Sequence, residues 1–157
     1  MIVLIGIMTT MTMLSIGTGN QRDWQRQEAE RLVQLLQMAS QEAIIRGMPI
    51  ALECRQRGYR FMSINNGEWR TEVEDAIFKP RTLQPQLFID LNIDNETVLL
   101  SDQAALKPDP QIIFTPDGDM NLFQIKIRLT DSDETFTVTN TLKDGLVMSS
   151  QTAESAL

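Results

Sequence analysis

The sequence predicts an α+β fold in which a long N-terminal helix packs on a β-rich head of short antiparallel strands. Three observations lead there. An uncharged apolar opening runs into a segment of helical periodicity; beyond Pro49 the period drops from about 3.6 to about 2 residues; and Asn66-Gly67, Asp117-Gly118 and Asp144-Gly145 punctuate the strands that follow. Strands that follow a single helix, rather than alternating with helices, give α+β. At 157 residues and 42% hydrophobic, the chain is long enough for one head domain and too short to expect two.

Residues 1–20 hold the first half of the helix. Met1 to Ile16 carries no charge, and its polar members Thr9, Thr10, Thr12 and Ser15 are ones a helix tolerates. Up to Asn20 the uncharged stretch spans roughly 30 Å as a helix, enough to cross the hydrocarbon core of a bilayer. The expected membrane anchor is therefore Ile2, Val3, Leu4, Ile5, Ile7, Met8, Met11, Met13, Leu14 and Ile16. A cleaved signal peptide would need a basic start, and no basic residue precedes Arg22. Gly17-Thr18-Gly19-Asn20 lowers helix propensity enough to permit a kink or local melting. It also spells half of a dinucleotide fingerprint, but Arg22 occupies the third glycine position and no strand precedes it, so nucleotide binding is dropped.

Residues 21–47 form the amphipathic second half. At about 100° per residue, Ala29, Leu32, Val33, Leu36, Ala39, Ala43 and Ile44 fall within an arc of about 140°, and this stripe is expected to pack on the head. Leu35, Met38 and Ile45 lie outside it and form a candidate assembly face for neighbouring subunits. Glu42 and Arg46 sit at the favourable i,i+4 spacing, and Gly47 followed by Pro49 stops the helix.

The head is expected over residues 48–148. Apolar and polar residues alternate without error from Phe123 to Leu129, placing one face in the core. Further strands are expected at Ile50–Cys54, Tyr59–Ile64, Leu87–Leu91, Thr97–Leu100, Ile112–Phe114, Thr135–Thr139 and Leu146–Met148. Lys79–Gln86 and Ser101–Pro110, each with two prolines, read as loops, and residues 149–157 as a flexible, frayed tail.

The composition excludes much chemistry. There is no histidine, which removes the commonest general base and the commonest metal ligand. Cys54 is the only cysteine, so there is no intrachain disulfide and no Cys-rich zinc site; it reads as a small buried residue on a strand. Pro116-Asp117-Gly118-Asp119 resembles a fragment of a calcium loop, yet Met120 to Leu129 supplies no distal carboxylate, and a plain turn accounts for it. Asp131, Asp133 and Glu134 read as a solvated loop, and Asn95-Glu96-Thr97 as a chance sequon. Paired carboxylates for glycoside hydrolysis would have to be assembled in space, but the acidic residues cluster at turns and aromatic residues number only nine. No catalytic residue, metal or cofactor is expected. Net charge is −7, and residues 81–157 hold five basic against twelve acidic side chains, so nucleic acid would meet repulsion there rather than counterion release.

Three stretches then resemble a known family. They are the opening Ile2-Val3-Leu4-Ile5-Gly6-Ile7-Met8, the helix-to-strand junction from Ala29-Glu30-Arg31-Leu32 through Glu42-Ala43-Ile44-Ile45-Arg46-Gly47-Met48-Pro49-Ile50, and the late hairpin Ile113-Phe114-Thr115-Pro116-Asp117-Gly118. With Gly58-Tyr59-Arg60-Phe61 and Gly67-Glu68-Trp69, the sequence resembles minor pseudopilin H (GspH) of bacterial type II secretion systems and its FimT-like relatives of type IV pili. The resemblance implies a non-enzymatic, methylated, single-pass protein of the bacterial inner membrane with its head in the periplasm. It also implies processing by a prepilin peptidase, and assembly near a pseudopilus tip with other minor pseudopilins and the major pseudopilin. Such a filament supports export of folded proteins through an outer-membrane secretin.

The family's processing motif, a glycine then a phenylalanine and a nearby glutamate, is absent, and no acidic residue precedes Asp23. The expectation is that Met1 is a truncated or misassigned start within the helix, or that this variant is not processed in the usual way. Arg22, Arg26 and Arg31 follow the apolar run, so the positive-inside rule applied to this chain alone puts the head in the cytoplasm; a basic leader upstream would reverse that. Two alternatives stand beside the secretion reading. A type IV pilus minor pilin serving DNA uptake would want a basic head, and a membrane-tethered periplasmic enzyme or binding protein would want a clustered polar site or a lipidated cysteine.

Overall fold

The computed structural model describes residues 2–103 and 107–152, with side chains from Gly19 onward. Helix α1 runs unbroken from Ile2 to Arg46, through Gly17-Thr18-Gly19-Asn20, where the sequence permits a kink. It ends in a Schellman motif. Gly47 takes a φ of 64°, its N–H donates to the Ile44 carbonyl (3.3 Å), and the Met48 N–H donates to the Ala43 carbonyl (3.2 Å).

Ten strands follow: β1 (Ile50–Arg55), β2 (Gly58–Asn65), β3 (Glu68–Thr71), β4 (Arg81–Thr82), β5 (Leu87–Ile93), β6 (Glu96–Val98), β7 (Ile112–Phe114), β8 (Phe123–Leu129), β9 (Glu134–Thr141) and β10 (Gly145–Thr152). They form two antiparallel sheets. One has the order β3-β2-β1-β7, with β4 also on β2; the other has the order β10-β9-β8-β5-β6. Helix α1 packs against β8, β9 and β10 of the second sheet and β1 and β7 of the first, closing one core between them.

Several elements differ from the sequence expectation. Strand β4 lies within the expected loop 79–86, held by its close approach to β2: a Cβ on Gly58 would collide with the Arg81 carbonyl. Strand β3 also goes beyond the expected set, because pairing with β2 rather than apolar alternation defines it. Leu99 and Leu100 fall outside β6, and Leu99 is almost fully exposed. Asp94 and Asn95 adopt positive φ (50° and 68°), turning β5 into β6 without a glycine, as short polar side chains permit. Residues 149–152 are not a frayed tail. They complete β10, paired through Thr152↔Glu134, because register with β9 supplies backbone partners that the side-chain pattern does not advertise. The remainder of that expected tail lies outside the described residues.

The anchor residues Ile2, Val3, Leu4, Ile5, Ile7, Met8, Met11, Met13, Leu14 and Ile16 have side chains outside the described set. Among the described residues, no helix is long and apolar enough to cross a membrane.

Candidate assembly interface

The inner face of α1 is built on Gln25, Ala29, Leu32, Leu36, Ala39 and Ala43, all with no exposed surface, at alternating steps of four and three residues. Val33 is partly buried against the same core. Two expected assignments are corrected. Leu35, expected on the outer face, is buried in the core, whereas Ile44, expected in the stripe, is 52% exposed. At 100° per residue Leu35 lies only about 60° from Leu32 around the helix and Ile44 about 120°, so the sheets seat the helix on the Leu35 side. Ile44 lies over the β7–β8 turn, where a Cβ on Gly118 would be 3.7 Å from its Cδ1.

Gln25 is the residue that apolar periodicity overlooks. Its Nε2 donates to two backbone carbonyls, of Ile127 and Glu134, each at 2.8 Å, tying the helix to the β8–β9 end of the sheet. The adjacent Arg22 donates from Nη2 to Glu134 (2.8 Å). A polar residue spaced four before Ala29, on the stripe itself, was the available signal. Tyr59 similarly donates to Glu28 Oε1 (2.7 Å), and burial beside that carboxylate holds its hydroxyl well above its ordinary pKa.

The outer face shows Met38 (39% exposed) and Ile45 (77%), with Met48 and Ile77 nearby in the exposed apolar set. A shallow depression there is lined by Met38, Ile45, Ile77, Glu42, Arg46 and Asp75, among others. Arg46 holds it together, donating to Glu42 (2.6 Å) and Glu72 (3.4 Å) and lying 3.7 Å from Asp75. Asp75 Oδ1 accepts the N–H groups of Ile77 (2.7 Å) and Phe78 (3.0 Å). The Phe78 amide above all, together with Ile77 and Arg46, holds the Asp75 carboxyl below its ordinary pKa. Phe78 is in turn buried against Phe61, ring centroids 5.0 Å apart. The loop beside the helix is thus pinned from both sides, leaving a firm apolar surface with a charged rim.

The expected chemistry-poor residues fall as follows. Cys54 is buried on β1, and burial pushes its thiol up to about 12, the opposite of an activated nucleophile. Its backbone N–H donates to Gln111 Oε1 at 2.7 Å. Gly118, at φ 91°, makes the turn that Asp117-Gly118 promised, with Thr115 and Asp119 closing it through the Thr115 N–H (2.9 Å). Among the described residues, no three His, Cys, Asp or Glu side chains converge on a metal-sized site. Glu53, buried on β1, is satisfied by Arg60 and by the Asp109 N–H (2.9 Å).

The fold defines a class: a pilin-like chain, one long helix carrying a two-sheet antiparallel head. Residues 28–144 match the family described as Type II transport protein GspH, and the chain belongs to that family. Its fold is similar to two crystallographically or otherwise solved structures of the minor pseudopilin EpsH from the type 2 secretion system of Vibrio cholerae. One is 21% identical with a TM-score of 0.68, covering 80% of this chain and 93% of that one. The other is 20% identical with a TM-score of 0.63, covering 81% and 95%. The solution structure of E. coli GspH is similar at 20% identity and TM-score 0.61, covering 83% of this chain and 89% of that one. No curated protein sequence matches the chain.

Proposed function

We propose that this chain is a minor pseudopilin of a type II secretion pseudopilus, a non-catalytic structural subunit at or near the filament tip that supports export of folded proteins across the outer membrane. The observation that carries the reading is the family match over residues 28–144, which takes in the packed half of α1 and nearly the whole head. The helix gives the role a physical basis. One face is consumed by the head, whereas Met38 and Ile45 on another remain uncovered and would contribute free energy only when a neighbouring subunit buries them. The partners are the other minor pseudopilins and the major pseudopilin. The uncharged run Met1 to Ile16 anchors the subunit in the inner membrane, with the head in the periplasm when a basic leader, later removed by a prepilin peptidase, orients the insertion.

Deleting the gene and assaying the culture medium tests this directly. Secreted substrates of the cognate system should be lost from the medium and restored by the intact gene. Undiminished secretion in the deletion strain refutes the reading, and full-length protein recovered from the soluble fraction after detergent-free lysis refutes the anchor.

A further inference from the structure

The four outer edges of the two sheets are not alike. Edge strand β3 carries Glu68 and Arg70; β7 is three residues long and flanked by Pro110 and Pro116; β6 is three residues long and begins with Glu96. Short length, charge and nearby proline are the devices that stop a sheet edge from recruiting another chain. Strand β10 has none of them. It runs eight residues, Gly145 to Thr152, with no charge and no proline, in unbroken register with β9. Among the described residues, no backbone hydrogen bond joins β10 to anything but β9. Gly145, Val147, Ser149, Ser150, Gln151 and Thr152 are all exposed.

We infer that β10 is a strand-addition site that takes an uncharged extended segment of a different subunit of the same filament. The inference rests on the filament-subunit reading and names the contact that reading leaves open. Water solvates this edge in the isolated protein, and among protein segments an extended chain is the one whose N–H and C=O spacing matches its alternating groups. The side chains select further. Leu146 and Met148 lean on the core, so the incoming strand needs apolar residues at alternate positions beside them, and a charge placed there would be desolvated without a partner.

A second copy of this chain is disfavoured as the occupant by geometry. Helix α1 packs on the face of β8, β9 and β10, so its axis runs roughly parallel to that sheet. A twofold pairing β10 antiparallel with its own copy stands perpendicular to the sheet and points the two helices in opposite directions. Two anchors in one membrane do not permit that.

The test uses the full-length chain co-expressed with the other pseudopilins of its own system and purified in mild detergent. Amides of β10 that face away from β9 should exchange freely in the isolated protein and slow by about tenfold or more in the complex. Neighbouring N–H groups on a strand point to opposite edges, so Ser149→Pro and Ser150→Pro separate the two sides. The variant that keeps the wild-type unfolding temperature has lost its donor on the free edge, and its co-isolation should fall by about tenfold. Should both prolines unfold the head, the double variant Ser149→Lys with Gln151→Lys places gatekeeping charges on exposed positions, and the same loss is expected. Co-isolation with β10 still exchanging freely, and unaffected by these variants, overturns the inference while leaving the filament role standing. Failure of the wild-type chain to co-isolate with any pseudopilin overturns both. A homodimer of the isolated protein that protects β10 overturns the choice of occupant and with it the inference.

Discussion

The two ends of the packed helix are fastened by different physics. At the Gln25 end a buried neutral amide bridges two strand carbonyls, whereas at the Arg46 end a half-exposed guanidinium gathers Glu42, Glu72 and Asp75. Buried hydrogen bonds are costly to break because the groups left behind cannot reach water. Exposed ion pairs are screened and contribute little individually. The Gln25 end therefore bears on stability, and the Arg46 end mainly orients the loop that rims the outer face. The same contrast runs around the helix, between a stripe with no exposed surface and an outer face at Met38 and Ile45.

The sharpest way to break this comparison lies on the stripe. Leu36→Ala removes a fully buried side chain and should destabilise the protein by on the order of 2 to 5 kcal/mol, read by thermal or denaturant unfolding of the full chain in mild detergent. Filament assembly should then fail because the subunit fails. A loss below about 1 kcal/mol would mean that the helix is not seated on the core as described.

Gln25→Ala comes next, removing the amide that bridges the carbonyls of Ile127 and Glu134. It should cost about 1 to 3 kcal/mol, and hydrogen exchange at the β8–β9 end should rise more than at the β1–β2 hairpin. Uniform exchange across the head would show that the amide is not a local tie.

Ile45→Asp should leave the unfolding transition within about 0.5 kcal/mol of wild type, because Ile45 is 77% exposed. Its association with the other minor pseudopilins should nevertheless weaken, since a charge on an interface is desolvated only when the partner arrives. If it unfolds the head as severely as Leu36→Ala, the outer face is not an assembly face.

The smallest effect is expected for Asp75→Asn, which keeps an acceptor oxygen for the Ile77 and Phe78 amides but removes the charge beside Arg46. The folded carboxyl titrates below its ordinary value of 3.8, so its stabilisation is present above that pH and is lost as the pH falls through the folded value. The difference between wild type and variant, about 0.2 to 1 kcal/mol at neutral pH, should therefore vanish on acidification. A difference that grows in acid would mean that the sign of the shift is wrong.

The sequence by itself determined the α+β class, the helix stop at Gly47 and the alternation that puts Phe123, Ile125, Ile127 and Leu129 inward, because each rests on local propensity or a short period. It also carried enough of the family's residues to indicate the pseudopilin class. Only the tertiary structure decided where around α1 the buried arc lies, burying Leu35 and releasing Ile44, because periodicity gives the width of a stripe but the sheets that cover it set its centre. The same holds for β3, β4 and residues 149–152, which are strands because a partner strand stands beside them. Gln25 is the clearest case. Its spacing puts it on the stripe, but a glutamine stays in a core only if its amide N–H donors find acceptors, and here those are two carbonyls more than a hundred residues away in the chain.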